Sequence, residues 1–241
     1  KRGIKLAAFI IDTIVSSSGV VGAPSGYLKM VAKIIHDAGG LFVADEVQPG
    51  FGRTGETFWG FESDAFLPDI VTMGKPMGNG HPLAATIIKR NLVEKFAKKT
   101  GYFNTFGGNA VSCAAGMAVM DVIEQDNLQE NALSIGKYLK EEIKSLANKY
   151  DLIGDVRGKG LFIAVEMISD CDMTPATEAA SSIVQLLKES GVLTNTIGPH
   201  GNILKLRPPM IFSRENSDYF LDRFDSILKK NCANYFNANK N

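Results

Sequence analysis

Cysteine, histidine and tryptophan are all scarce in this 241-residue sequence, at three, three and one residues. The cysteines, Cys113, Cys171 and Cys232, are odd in number and far apart. That excludes a disulfide framework and a cysteine-rich metal cluster, and it fits a reducing compartment, the cytoplasm. Excess charge is missing too: Lys+Arg and Asp+Glu are 26 each, so nothing draws the chain to nucleic acid or to a membrane surface. No apolar run approaches the roughly 20 residues of a membrane span. The start, KRGIKLAAFIIDTIVSSSG, imitates a signal peptide, but Asp12 ends the apolar stretch Leu6–Ile11 too soon for one. A buried strand fits better, and a chain that opens without Met inside such a strand reads as a fragment of a longer protein.

What is present is the composition of a folded globular protein, arranged in alternating strand and helix patterns. Leu6–Ile11 is a continuous apolar run, as in a strand covered on both faces. Leu28, Val31, Ile34 and Ile35 have helical spacing across Tyr27–Ala38, and Gly39-Gly40 stops that helix. Leu41–Ala44, Ile70–Met73 and Ala84–Ile88 read as further strands, and residues 46–66 as a Gly- and aromatic-rich loop. The order predicts an α/β domain with a mostly parallel sheet, whose ligands sit beyond the C-terminal strand ends. Asp45 and Lys75 both fall there.

From Asn109 the character changes to a long Ala-, Val- and Met-rich helix, Asn109–Glu124. Leu128, Ala132, Ile135, Leu139, Ile143 and Leu146 stripe a second helix. Short strands follow near Ile153–Val156, Leu161–Met167 and Ile203–Leu206, with a helix at Glu178–Glu189. A last helix, N-capped by Ser213, buries Phe220, Phe224, Ile227 and Leu228. The expected division is residues 1–120 as part of a large ligand-binding domain and 121–241 as a small α+β domain.

Three segments carry chemistry: VADEVQPGFGRTG with Asp45 and Gln48, PDIVTMGKPMGNGHPLAA with Lys75, and YFNTFGGNAVSCAAG with Thr105. Gly74, Gly78 and Gly80 leave room around Lys75 for a bulky ligand. A lysine that forms a Schiff base must be able to lose its proton. Pyridoxal phosphate (PLP) draws electrons only while its ring nitrogen stays protonated, and an ionised carboxylate such as Asp45 keeps it so. Gln48 suits the cofactor's phenolic oxygen, and Thr105 with the backbone of Gly107 and Gly108 suits its phosphate. Taken singly, a lysine among glycines is more often a solvated loop residue. Glu46 suggests a structural ion pair, His36, His81 and His200 non-catalytic roles, and Arg53 and Arg157 either anion binding or structural pairing.

Together these segments resemble the class III (ornithine and 4-aminobutyrate type) aminotransferases of PLP fold type I. The run Asp-Glu-Val-Gln…Gly-Phe-Gly-Arg-Thr-Gly is followed 30 residues after Asp45 by Lys75, and Thr105 comes 30 residues later. VRGKGLF (156–162) and the LRPP region (206–209) extend the likeness over nearly the whole chain. The resemblance implies that Asp45 pairs with the ring nitrogen and Gln48 with the phenolic oxygen. It implies that Lys75 forms the Schiff base and shuttles the proton, and that Thr105 reaches the phosphate across a homodimer. No metal ligand is expected among the site residues. The family's phosphate loop and its ring-stacking aromatic belong to a first half that these residues lack.

On the substrate, ornithine-type members have a gate glutamate where this chain has Ser17, and its arginine partner aligns with Lys205. With both changed, ornithine-like and 4-aminobutyrate-like specificity is not expected. NILKLRPPM and GDVRGKGLF are closer to the branch of alanine–glyoxylate aminotransferases and of phosphoethanolamine and phosphohydroxylysine phospho-lyases. The expected activity is amino transfer between an amino acid or amine and a 2-oxo acid. A phospho-lyase acting on a phosphorylated amine, or an inactive truncated fragment, are the other readings.

Overall fold

A computed structural model describes residues 3–238, with side chains to Lys230, as two compact units. The first takes in Ala23–Gly52, Thr57–Gln129 and the segment ending at Ile14. The second takes in Val15–Gly22, Arg53–Glu56 and the segment from Glu130 onward.

The first unit is a four-stranded mixed sheet with helices, ordered β1 (Ala8–Asp12), β2 (Leu41–Asp45), β3 (Ile70–Met73) and β4 (Ala85–Ile88). β1, β2 and β3 are parallel and β4 is antiparallel, so the sheet is mostly parallel as its strand–helix–strand order predicts. Among the described residues β1 pairs with β2 alone, and Ile10 is 63% exposed. Helix α1 (Tyr27–Asp37) buries Leu28, Ala32 and Ile35. It has no capping side chain of its own. The Asp64 carboxylate accepts the N–H groups of Gly26 and Leu28 at 2.9 and 2.7 Å, satisfying donors a helix start leaves open. Gly39, at φ 79°, ends the helix where a side chain would strain.

Asp69 ties the opposite edge of this sheet together. It accepts the Phe42 N–H at 2.8 Å, His36 Nε2 at 2.6 Å and Lys89 Nζ at 2.8 Å. Burial works against its ionisation, but the bonds from Lys89, Phe42 and His36 outweigh it and hold the carboxyl below the usual range. A depressed acid contributes its stability above the unfolded value and loses it as pH falls through the folded one. Asp69→Ala leaves the buried Phe42 N–H without a partner. The expected cost is about 2–3 kcal/mol at neutral pH, shrinking in acid, read by denaturant unfolding at several pH values.

Helices α2 (Arg90–Lys99) and α3 (Ala110–Gln125) complete this unit, and α4 (Leu128–Ala147) begins in it. In the second unit β5 (Ile153–Lys159), β6 (Phe162–Met167), β7 (Asn195–Ile197) and β8 (Ile203–Leu206) form an antiparallel sheet in the order β5-β6-β8-β7. Against it pack α4, α5 (Thr177–Glu189) and α6 (Arg214–Ala238), through Leu139, Ile143, Ile183, Leu187, Phe224 and Leu228, each at most 2% exposed. Each such side chain contributes about 1.5–3 kcal/mol of burial. Ser213 caps α6 as expected: its Oγ accepts the Asn216 N–H at 3.2 Å.

α2 and β7 have no counterpart in the sequence reading. α2 has no capping side chain and buries no residue, so its apolar spacing stands without a start signal. β7 is a three-residue strand among Thr, Gly and Pro that pairs, among the described residues, with β8 alone.

Candidate active site

Parallel pairing brings the C-terminal ends of β2 and β3 to one edge of the first sheet, with Asp45 level with Thr72. Asp45 closes β2, and Lys75 follows β3 with only Gly74 between, so both leave the sheet at that edge. The Glu46 N–H donates to the Thr72 carbonyl at 2.9 Å and locks the register there.

Asp45 is half-buried. Its Oδ1 accepts the Val47 N–H at 3.0 Å, while Oδ2 accepts no hydrogen bond among the described residues. The carboxylate is thus oriented by one oxygen and available through the other. Lys75 is exposed, and among the described residues no hydrogen bond or ion pair holds its amine. Its φ is 30°, in the left-handed region, although the residue before a proline favours extended backbone. Strain of this kind costs about 1–3 kcal/mol and clusters where a side chain is presented for chemistry. The tight turn Lys75–Gly78 imposes it, with the Met77 N–H on the Gly74 carbonyl at 2.9 Å and the Asn79 N–H on the Pro76 carbonyl at 3.0 Å. An oriented carboxylate with a spare oxygen and an unengaged amine at the same sheet edge fit the ring nitrogen and aldehyde of PLP.

Gln48 is half-buried in the turn after β2, three residues beyond Asp45. Thr105 is exposed in the loop before α3, and no hydrogen bond joins it to Asp45 or Lys75. The Gly107 N–H, expected to face a phosphate, instead donates to Asn104 Oδ1 at 3.0 Å. Gly108, at φ 71°, keeps its N–H free of partners among the described residues.

Glu46 is no half of an ion pair among the described residues but a buried hydrogen-bond hub. Its Oε1 accepts the Thr13 hydroxyl and the Phe61 N–H, both at 2.9 Å, and Oε2 accepts the Gly60 N–H at 2.8 Å. A Cβ on Gly60 would come within 2.3 Å of Thr13 Oγ1, so only glycine lets that N–H reach the carboxylate. Burial pushes Glu46 up to about 7 against the pull of these bonds, and Asp12 adds to the rise. A raised acid binds its proton more readily in the folded state, so stability falls as pH climbs from the unfolded value through about 7. The expected loss between about pH 5 and pH 8 is roughly 3 kcal/mol. Glu46→Gln should flatten that slope, and it also places an N–H2 against a backbone donor at a cost of about 1–3 kcal/mol. Denaturant unfolding at the two pH values measures both effects.

In the second unit, Lys205 is 8% exposed on β8, with its ammonium 5.2 Å from the centre of the Phe162 ring. That burial rules out a side chain merely extended into solvent. Lys205 and Arg207 are among the residues lining a cavity of about 350 Å³ in this unit, beside Asn195 and Tyr219. Ser17 is exposed in the same unit. The two arginines weighed as anion binders are structural. Arg157 Nη1 meets Asp155 at 2.7 Å and Glu166 at 2.5 Å, and Arg53 Nη1 donates to the carbonyls of Leu161 and Pro208. Burial, with Arg207 adding, lowers Arg53 to about 10. Among the described residues no group of three or more His, Cys, Asp or Glu is arranged to hold a metal, and no helix is long and apolar enough to cross a membrane. Cys113 and Cys171 are free and exposed, and the side chain of Cys232 lies outside the described residues.

The family model for aminotransferase class III matches residues 1–228. An alanine–glyoxylate aminotransferase 2 homolog 2, mitochondrial, from Arabidopsis thaliana is 45% identical over 93% of this chain and 47% of its own length. Among solved structures, a phospholyase from Arthrobacter in complex with phosphoethanolamine is 41% identical, with a TM-score of 0.91 over 94% of this chain and 54% of that one. An amine transaminase from an uncultivated Pseudomonas species, in PLP-bound form, is 30% identical, with a TM-score of 0.84 over 93% of this chain and 52% of that one. The chain spans about half the length of the curated relatives it matches.

Proposed function

The chain belongs to the class III aminotransferase family, of PLP fold type I, and on that footing we propose that it carries the lysine-bearing part of a PLP-dependent aminotransferase. The reaction moves an amino group between an amino acid or amine and a 2-oxo acid. The observation that carries this reading is the placement of Asp45 and Lys75 at one sheet edge, the first with a free carboxylate oxygen and the second with an unengaged amine. PLP, when bound, supplies the electron sink for charge that develops on the substrate carbon. Asp45, oriented through Val47, offers Oδ2 to a protonated ring nitrogen. Lys75 provides the amine that anchors the cofactor and afterwards carries the proton at the substrate carbon. Gln48 serves the phenolic oxygen, and Thr105 serves a phosphate from the partner subunit of a homodimer.

A second reading, a phospho-lyase acting on a phosphorylated amine, has its own support in Lys205. A lysine is a compact point charge, less suited than arginine to a two-pronged grip on a carboxylate. It suits a phosphate or a lone carboxylate oxygen, and the Arthrobacter relative is named for phosphoethanolamine. Ornithine and 4-aminobutyrate are expected to be poor substrates. The test offers the holoenzyme phosphoethanolamine, alanine with glyoxylate, and 4-aminobutyrate with 2-oxoglutarate. Phosphate release from the first supports the lyase, and keto-acid-dependent turnover of the second supports the aminotransferase. Fast turnover of 4-aminobutyrate would refute the argument from Ser17 and Lys205.

The cytoplasm is the proposed compartment, supported by scattered, free cysteines. Imaging the tagged protein in cells checks it, and import into an organelle, as in the name of the Arabidopsis relative, would overturn it.

A further inference from the structure

A chain of side-chain hydrogen bonds ties the Lys75 turn to the start of α3. Asn109 caps that helix, its Oδ1 accepting the Ser112 N–H at 3.0 Å, which fixes the orientation of the amide. Its Nδ2 then donates to the Phe106 carbonyl at 2.8 Å and to Ser112 Oγ at 3.0 Å, so both amide hydrogens are used. Ser112 Oγ lies 2.8 Å from Nε2 of His81. With Oγ accepting from Asn109, the hydroxyl proton of this buried serine needs an acceptor, and His81 Nε2 stands at bonding distance. The ring proton of His81 therefore sits on Nδ1. His81 is itself fixed to the Lys75 turn, its N–H donating to the Gly78 carbonyl at 2.9 Å.

Packing reinforces the tie. A Cβ on Gly116 of α3 would come within 2.8 Å of Leu83 Cδ2, and one on Gly78 within 3.1 Å of Leu83 Cβ. Leu83 is thus wedged against both the helix and the turn, and glycine at 116 lets the helix approach. The strained Lys75 backbone, at φ 30°, sits at the other end of the same short segment. A residue before proline favours extended backbone, so the turn's own hydrogen bonds work against that preference, and contacts from outside the turn add to their hold.

We propose that His81 is a positioning residue for Lys75. By accepting the Ser112 hydroxyl proton at Nε2, it clamps the segment 75–83 onto the first turn of α3 and keeps the Lys75 amine aimed. The inference rests on the reading of Lys75 as the cofactor lysine. Because the loop before α3 also carries Thr105, the same clamp fixes where that loop ends relative to the lysine turn.

The test uses the PLP-loaded enzyme and the variants His81→Leu, Ser112→Ala, their double and His81→Gln. Loss of the clamp misplaces the amine, so each single variant is expected to lower kcat about 10- to 100-fold while KM for the amino donor changes far less. Each should also shift the pH midpoint of the cofactor's visible absorption. The double should be no worse than either single, since both break one bond. In His81→Gln the amide oxygen replaces Nε2 as acceptor and should recover most of the loss. Nitrogen-15 NMR of the unmutated holoenzyme should place the His81 proton on Nδ1. A proton on Nε2 overturns the proposal, as do an unmoved kcat and spectrum or strictly additive losses. If His81→Leu does not fold, Ser112→Ala and the NMR measurement decide. Turnover that survives Lys75→Ala would sink the functional reading together with the clamp, whereas inert His81 and Ser112 variants beside a dead Lys75→Ala would sink the clamp alone.

Discussion

Replacing Lys75 with alanine in the holoenzyme is expected to abolish covalent attachment of the cofactor and to lower turnover by at least about 10,000-fold. On the proposed reading the amine has two jobs, as the nucleophile that holds the cofactor and as the base that carries a proton at the substrate carbon, and alanine can do neither. The fold should survive, because Lys75 is exposed and its side chain makes no hydrogen bond or ion pair among the described residues. Its φ of 30° is unfavourable for lysine and alanine alike, so the backbone strain carries over unchanged. The measurement is threefold: loss of the visible absorption of bound PLP, loss of mass retained after borohydride reduction and denaturation, and an unfolding midpoint close to that of the parent. A Lys75→Ala enzyme that still turns over at the parent rate would end the assignment.

The placement of that lysine was legible in the sequence for a physical reason. Ile70–Met73 is a short apolar run ended by Gly74, and Leu41–Ala44 is another ended by Asp45, so both chemical groups announce themselves as strand ends. Apolar spacing also found α1, α4 and α6, whose buried residues repeat every three or four positions, while α3 was legible from its Ala-, Val- and Met-rich composition. What stayed hidden depends on partners distant in sequence. Glu46 is held by Thr13 on one side and by backbone N–H groups of Gly60 and Phe61 on the other, and no local pattern reveals a carboxylate whose donors are main-chain amides. The His81–Ser112 bond spans 31 residues and its chemistry depends on which lone pairs Asn109 has already used, so His81 looked like any loop histidine. The tight Lys75 backbone was equally invisible, because a lysine before proline gives no hint of positive φ. A Gly-Asn-Gly-His-Pro run ten residues or fewer from a strand end, followed by an Asn-x-x-Ser helix cap, is the signal that would have pointed to the pair.

Asp45→Asn should separate charge from structure at the same sheet edge. The asparagine carbonyl can still accept the Val47 N–H that Oδ1 accepts at 3.0 Å, so the turn after β2 keeps its shape. The Asp45↔Thr72 register and the Glu46 N–H bond to the Thr72 carbonyl are main-chain features and stay in place. The change falls on Oδ2, which has no partner among the described residues and is the atom available to a protonated ring nitrogen. An amide there carries no charge, and its N–H2 would face the nitrogen's own hydrogen. The nitrogen then loses its proton and the cofactor its pull on electrons. Removing one preorganised electrostatic partner of this kind costs about 100- to 1,000-fold in kcat, equivalent to roughly 3–4 kcal/mol of transition-state stabilisation. PLP should still attach through Lys75, so the visible band persists with a shifted maximum, the apparent affinity for PLP falls much less than kcat, and the unfolding midpoint stays near the parent value. Asp45→Glu keeps the charge at a longer reach and should retain more activity than the asparagine variant. Equal kcat in parent and Asp45→Asn enzyme, or a collapse of PLP binding with an unchanged rate for the fraction loaded, would show that Asp45 shapes the site without charging the ring.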